Sequence, residues 1–285
     1  MRGRRGILAL SFRRVWRTSA WRYALVVSLV AMAIPFVRGC LNFWGHDVAE
    51  LPSAGVAWVG NYATMRTTTF AVYIFFLMFP LSSACYSDSL FNDVRSGRAA
   101  ALVPRSGLFS YVLSGAFVTF VSAFLVVLVP LLVSQLLSFA AFPAEASEDA
   151  FLTFFNDSSS YPNLWGSSFD DIPFSGLYVS NRVLYNLLRI AYDALWAGIL
   201  ALASFAISLY TRRSRFVILC APTFVFLACS TFLPPALRLS TYLMPPVPGV
   251  VMETMAFLVL SPIVVLCAAC IAIAWPLLRG RDVLL

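Results

Sequence analysis

The sequence contains no lysine; all 20 of its basic residues are arginine. It has one histidine, 13 acidic residues and only 12% charge over 285 positions. Each shortage excludes something. Without lysine there is no G-x-x-x-x-G-K-[ST] loop to hold nucleotide phosphates, no Schiff-base chemistry and no lysine general base. A lone histidine rules out three-histidine metal sites and leaves little for serine–histidine relays. So few charges could not cover the surface of a soluble protein of this size.

Apolar bulk stands in place of charge: 60% of residues are hydrophobic, 15% are aromatic, and the mean hydropathy is +0.84. Such a chain belongs in a bilayer, whose hydrocarbon core takes about 20 apolar residues per crossing helix. Six runs qualify: 24–43, 67–85, 109–140, 183–210, 216–233 and 250–278. They are uniformly apolar rather than alternating, which selects helices over a barrel. The third and sixth exceed a perpendicular crossing, and Pro130 and Pro262 are their kink sites. The expected fold is an all-α integral membrane protein, a single domain over 1–285 with six transmembrane helices.

Arginine sets the orientation. A cytoplasmic N-terminus gathers fifteen of the twenty arginines on the inner side, among them Arg13, Arg14, Arg17, Arg95, Arg98, Arg105 and Arg215. Eight acids, including Asp47, Glu50, Glu145, Asp170 and Asp171, then fall outside. Both termini are expected to be cytoplasmic. The net charge of +7 is thereby a topology signal, not a nucleic-acid footprint. Ala31-Met32-Ala33 has the form of a cleavage site, but no polar region follows it, so the first helix is expected to stay uncleaved. In residues 5–20, Leu8, Phe12, Val15 and Trp16 recur at helical spacing opposite Arg13, Arg14 and Arg17. That pattern predicts an interfacial amphipathic helix in contact with membrane lipids.

The loop 86–108 joins the second and third runs. Asp88 or Ser89 can cap a short helix, Gly97 can end it, and Leu90, Phe91 and Val94 give it an apolar side with Asp93 and Arg95 presented elsewhere. On the residues alone, a docking helix and a solvated connector are equally open. The stretch Asp93-Val94-Arg95-Ser96-Gly97, with Leu102, Arg105-Ser106 and Tyr111, has the form D-x-x-S-G-x(4)-L-x-x-R-S-x(4)-Y. With the amphipathic N-terminus and six spans, it resembles the permease subunits of type-2 ABC exporters. The layout covers most of the chain, and the motif itself about twenty residues.

The resemblance implies that 86–108 is a coupling loop seated in a groove of a separate ATPase subunit, with Leu90, Phe91, Asp93, Arg95, Gly97 and Arg98 as its contact residues. It implies that this chain is not an enzyme and binds no cofactor, since ATP and magnesium stay on the ATPase. It further implies a second permease chain, identical or not, around a shared path in a bacterial plasma membrane. The absence of a P-loop agrees with that division of labour.

Two other segments invite functional readings. Arg182, Asn186, Arg189 and Asp193 fall at intervals of four, three and four, hence on one side of the helix 183–210. Asn186, Arg189 and Asp193 could line the outer end of a substrate path. The plainer expectation is an Arg189–Asp193 ion pair at the outer interface, since Asp193 to Thr211 already spans about 28 Å of helix. The external loop 141–180 is acidic and has no basic residue, which suits a cationic substrate or a solvated lid. The proline-rich link 234–248 either dips back into the membrane or makes a tight turn. The six cysteines read as small buried hydrophobes, and His46 beside Asp47 and Glu50 is too sparse for zinc.

Two further classes remain beside the ATP-driven permease: an ion-driven secondary transporter and a non-transporting membrane scaffold. The sequence has no visible internal repeat and no charge at its span midplanes, which counts against the secondary transporter. Reporter fusions after Ser214 and Asp282 should read cytoplasmic and fusions near Ser159 external. A cytoplasmic signal at Ser159 would remove the loop assignment.

Overall fold

The computed structural model describes residues 2–60, 67–145, 173–211, 214–234, 237–244 and 255–279. Among these the fold is all-helical, without strands. Five helices are long and apolar enough to cross a membrane: α2 (Ser19–Asn42), α7 (Leu108–Ala141), α9 (Arg182–Tyr210), α10 (Arg215–Phe232) and α12 (Met255–Leu278). Ahead of them, α1 (Arg2–Arg17) ends where Thr18 leaves the helical region with ψ at 129°. Short helices fill the connections: α5 (Ser89–Arg95), α6 (Arg98–Ser106), α8 (Ser175–Ser180) and α11 (Leu239–Leu243).

The run 67–85 is not one regular helix. It consists of α3 (Thr67–Val72), a π-helical turn (Tyr73–Leu77) and α4 (Met78–Ala84). A 42° bend then separates Thr69–Ala84 from α5. Hydropathy finds such a run but is blind to the hydrogen-bond register within it.

The bundle is built around α9. Of its apolar stretch 72% is buried, against 22% for α10 and 17% for α12. Small residues on α9 allow this close approach; Ala194, Ala197, Ala201 and Ser204 are fully enclosed. Its main neighbour is α7, and the two contribute reciprocal glycine–aromatic contacts. Gly115 of α7 lies under the ring of Phe205, and Gly198 of α9 lies under the ring of Phe120. A β-carbon at Gly198 would stand 2.8 Å from the Phe120 ring, so only hydrogen fits without a shift.

Other helices turn apolar side chains outward. Phe224 and Val225 of α10 and Ile263, Val264 and Ile271 of α12 are exposed, as a lipid-facing wall requires. Cys267 and Cys270 lie on this outward side of α12, so within the chain they are not the buried hydrophobes expected of them. Cys85 is buried, and none of the six cysteines forms a disulfide. The expectation erred because a helix apolar all round gives no sequence signal for which side packs inward.

Replacing Gly198 with valine should cost about 1–3 kcal/mol by overpacking the α7–α9 seam. Thermal unfolding of the detergent-purified variant should show the loss. Unchanged stability would mean that Phe120 swings away freely.

Candidate functional site

Residues 86–108 form a compact helical hairpin. Gly97 turns the chain between α5 and α6 in the left-handed region at φ 72°, donating its amide to the Val94 carbonyl at 3.1 Å. A residue with a β-carbon is strained there. Ser96 caps the end of α5 by donating its hydroxyl to the Asn92 carbonyl at 2.7 Å.

The hairpin is tied to the bundle at several points. Asp93 is 5% exposed and accepts from Tyr111 of α7 at 2.6 Å and from Arg14 of α1 at 3.0 Å; Arg98 lies 3.7 Å from its other oxygen. Asp88 pairs with Arg215 at the start of α10 and accepts from Asn92 at 2.9 Å. Ser87 donates to the Ala201 carbonyl of α9 at 3.0 Å, and Ser83 shares a hydrogen bond with Ser204 at 2.9 Å. Burial pulls the Arg14 pKa down, but attraction from Asp93 and Tyr86, with their hydrogen bonds, raises it on balance. Arg14 is therefore a fixed cation.

The six coupling residues named from the sequence do not share one surface. Leu90 is 3% exposed and packs with Val112, Phe205 and Leu209, while Asp93 is turned inward as described. Both belong to the chain's own packing, so Asp93 is an internal anchor rather than a rim contact. The sequence sets Asp93 apart from the apolar side, yet Leu90 and Asp93, three residues apart on α5, are both buried; the helical period cannot say that α7 and α9 lie against the Leu90 side. Arg95, Gly97 and Arg98 are exposed and Phe91 is half-buried. Those four remain open to a partner.

At the other end of the bundle, the polar face of α9 is covered by its own chain. Asn186 donates to the Gly55 carbonyl at 2.8 Å and to the side-chain oxygen of Gln135 at 2.9 Å; Gln135 in turn donates to the Ala54 carbonyl at 3.2 Å. Trp58 donates to Ser134 at 2.9 Å. The segment around Ala54–Val59 thus lies fully buried between α7 and α9. Gly55 lets it in, since a β-carbon there would meet the Arg182 side chain at 3.1 Å. Sequence reasoning passed over this connection; its lack of charge and its Ala-Gly-Val-Ala-Trp-Val composition were the available signals. The guanidinium of Arg182 lies 3.4 Å over the Tyr178 ring.

The expected Arg189–Asp193 ion pair does not form. Arg189 donates instead to the Leu243 carbonyl of α11 at 2.9 Å. Asp193 is fully buried, and neither carboxyl oxygen has a hydrogen-bond partner among the described residues. α9 begins well before Asp193, and the chain's own packing encloses the side chain there. The link after α10 is not a tight turn at 239–243, where α11 buries Tyr242 and Leu243. His46 pairs with Glu50 at 3.0 Å on an exposed surface. Most of the acidic loop, 146–172, lies outside the described residues.

Changing Asp93 to asparagine removes the charge that holds Arg14, and should destabilise the chain by about 1.5–3 kcal/mol. Heat unfolding and faster proteolysis within α1 would report it; an unaltered α1 would show that the Asp93 contacts are dispensable. Compared with known proteins, the chain matches no family model, no curated relative and no solved structure.

Proposed function

We propose that this chain is the transmembrane permease subunit of an ATP-driven transporter of the type-2 exporter class, moving substrate as a separate ATPase subunit cycles. The observation that carries the reading is the helical hairpin 86–108. It stands at one end of the bundle, tied to α1, α7, α9 and α10, and presents Phe91, Arg95 and Arg98 outward. A push on it reaches four helices at once. The motif from Asp93 to Tyr111 supports the same reading.

In this proposal the five long helices and the segment Thr67–Ala84 make six crossings, with α1 at the interface and both termini in the cytoplasm. The arginine asymmetry supports that orientation, and a bacterial plasma membrane is its setting. ATP and magnesium stay on the ATPase, and a second permease chain completes the path. Asn186, Arg189 and Asp193 stand at the outer end of that path, closed by the segment around Trp58.

Phe91→Ala should weaken association with the ATPase by about 2 kcal/mol or more, as expected for a central interface anchor. Gly97→Val should weaken it through backbone strain alone, since nothing lies within 4 Å of a β-carbon there. Leu90→Ala, by contrast, should act on folding of this chain, costing about 2–5 kcal/mol. Pull-down at matched expression and transport in proteoliposomes are the measurements. Full partner retention and full transport by both Phe91→Ala and Gly97→Val would make the loop a connector.

Asp193 favours one second reading, an ion-driven secondary transporter, because an unpaired buried carboxyl is characteristic of ion paths in membranes. The same proteoliposomes separate the two. Transport that needs an ion gradient and no ATPase belongs to the second.

A further inference from the structure

Between α1 and α5 lies a cleft of about 470 Å³. Arg13, Arg14 and Arg17 enter it from α1, Arg98 from the hairpin and Arg215 from α10. The acids facing them are Asp88 and Asp93, and each is already taken: Asp88 by Arg215, Asp93 by Arg14 with Arg98 nearby. Five arginines against two carboxylates leave the cleft strongly positive. Arg13 and Arg17, four residues apart on one side of α1, are exposed and have no carboxylate partner among the described residues. Uncompensated cations brought this close repel one another unless an anion sits among them.

The position of the cleft identifies the anion. Thr18 and Ala20 line it where the first long apolar helix begins, and Arg215 stands at the start of α10. The cleft is therefore at the depth of lipid headgroups, with Leu10 and Ala84 giving it an apolar rim. Arginine forks match phosphate oxygens in pairs, and the polar Ser89 and Asn92 on the α5 wall suit a hydroxylated headgroup. We propose that this cleft binds the phosphate of one anionic phospholipid, so that a lipid bridges α1 to the coupling hairpin. It requires the membrane placement of α2 and α10, but not the ATPase.

The experiment uses the purified full chain in uncharged detergent, without any ATPase, so its outcome is independent of the partner pull-down. Native mass spectrometry would count bound short-chain phosphatidylglycerol, with phosphatidylcholine and inorganic phosphate as the other arms. The expected result is one saturable phosphatidylglycerol, bound roughly tenfold or more tightly than either alternative. R13Q/R17Q should lose that preference. So should S89E, which places a carboxylate in the cleft at a helix start that tolerates acids. R95Q should keep it, because Arg95 is exposed on α5 but outside the cleft. Equal binding of phosphatidylcholine would overturn the proposal, as would equal or tighter binding of inorganic phosphate. An equal loss in R95Q would also overturn it, by showing a diffuse surface field instead of a site.

Discussion

The seam between α7 and α9 is the constraint on which the rest of the structure depends. Two long helices approach closely because each offers a glycine to an aromatic ring of the other, Gly115 to Phe205 and Gly198 to Phe120. In lipid, apolar contact with a neighbour is hardly better than contact with acyl chains, so association rests on close packing and on polar bonds across the interface. The seam uses both. Toward one end it closes over the segment around Ala54–Val59 through Asn186, Gln135 and Ser134. Toward the other it supports the hairpin through Ser204, the Ala201 carbonyl and Tyr111.

The two ends of this seam treat polar groups differently. Near the hairpin, the buried carboxylates Asp88 and Asp93 each meet arginine. Near the other end, amide side chains bond to backbone carbonyls, and the one buried carboxyl, Asp193, stands without a hydrogen bond among the described residues. A neutral amide network holds its geometry whatever charges move near it, whereas an unpartnered carboxyl in a dry interior is sensitive to any cation or proton that arrives. Positional rigidity and chemical responsiveness therefore sit side by side on the same face of α9.

The long helices were legible because twenty apolar residues have few other uses. The boundaries 109–140 and 183–210 fall within one residue of α7 and α9 at each end. The turn at Gly97 was legible for a local reason: a left-handed residue between two short helical stretches calls for glycine. What stayed hidden depended on neighbours far along the chain. Leu90 and Asp93 face inward because α7 and α1 happen to cover them, and Arg189 turns from Asp193 because α11 offers a carbonyl. Spacing along one helix fixes which residues share a side; it does not fix what that side meets. The burial of Ala54–Val59 escaped for the same reason, since a short uncharged connection carries no period at all.

The π-helical turn at Tyr73–Leu77 has a geometric consequence for everything after it. One such turn accommodates an additional residue, and one residue in a helix is a rotation of about 100°. Met78–Ala84 is therefore rotated by that angle from the course an unbroken helix from Thr67 would set. Phe79 thereby reaches the ring of Phe226 at 4.5 Å between centroids, and Ser83 reaches Ser204. A helical wheel drawn straight through 67–84 would place both on the wrong flank. The extra residue acts as a phase shift: the strip packs on α2 before the turn, and after it on α7, α9 and α10 as well as α2.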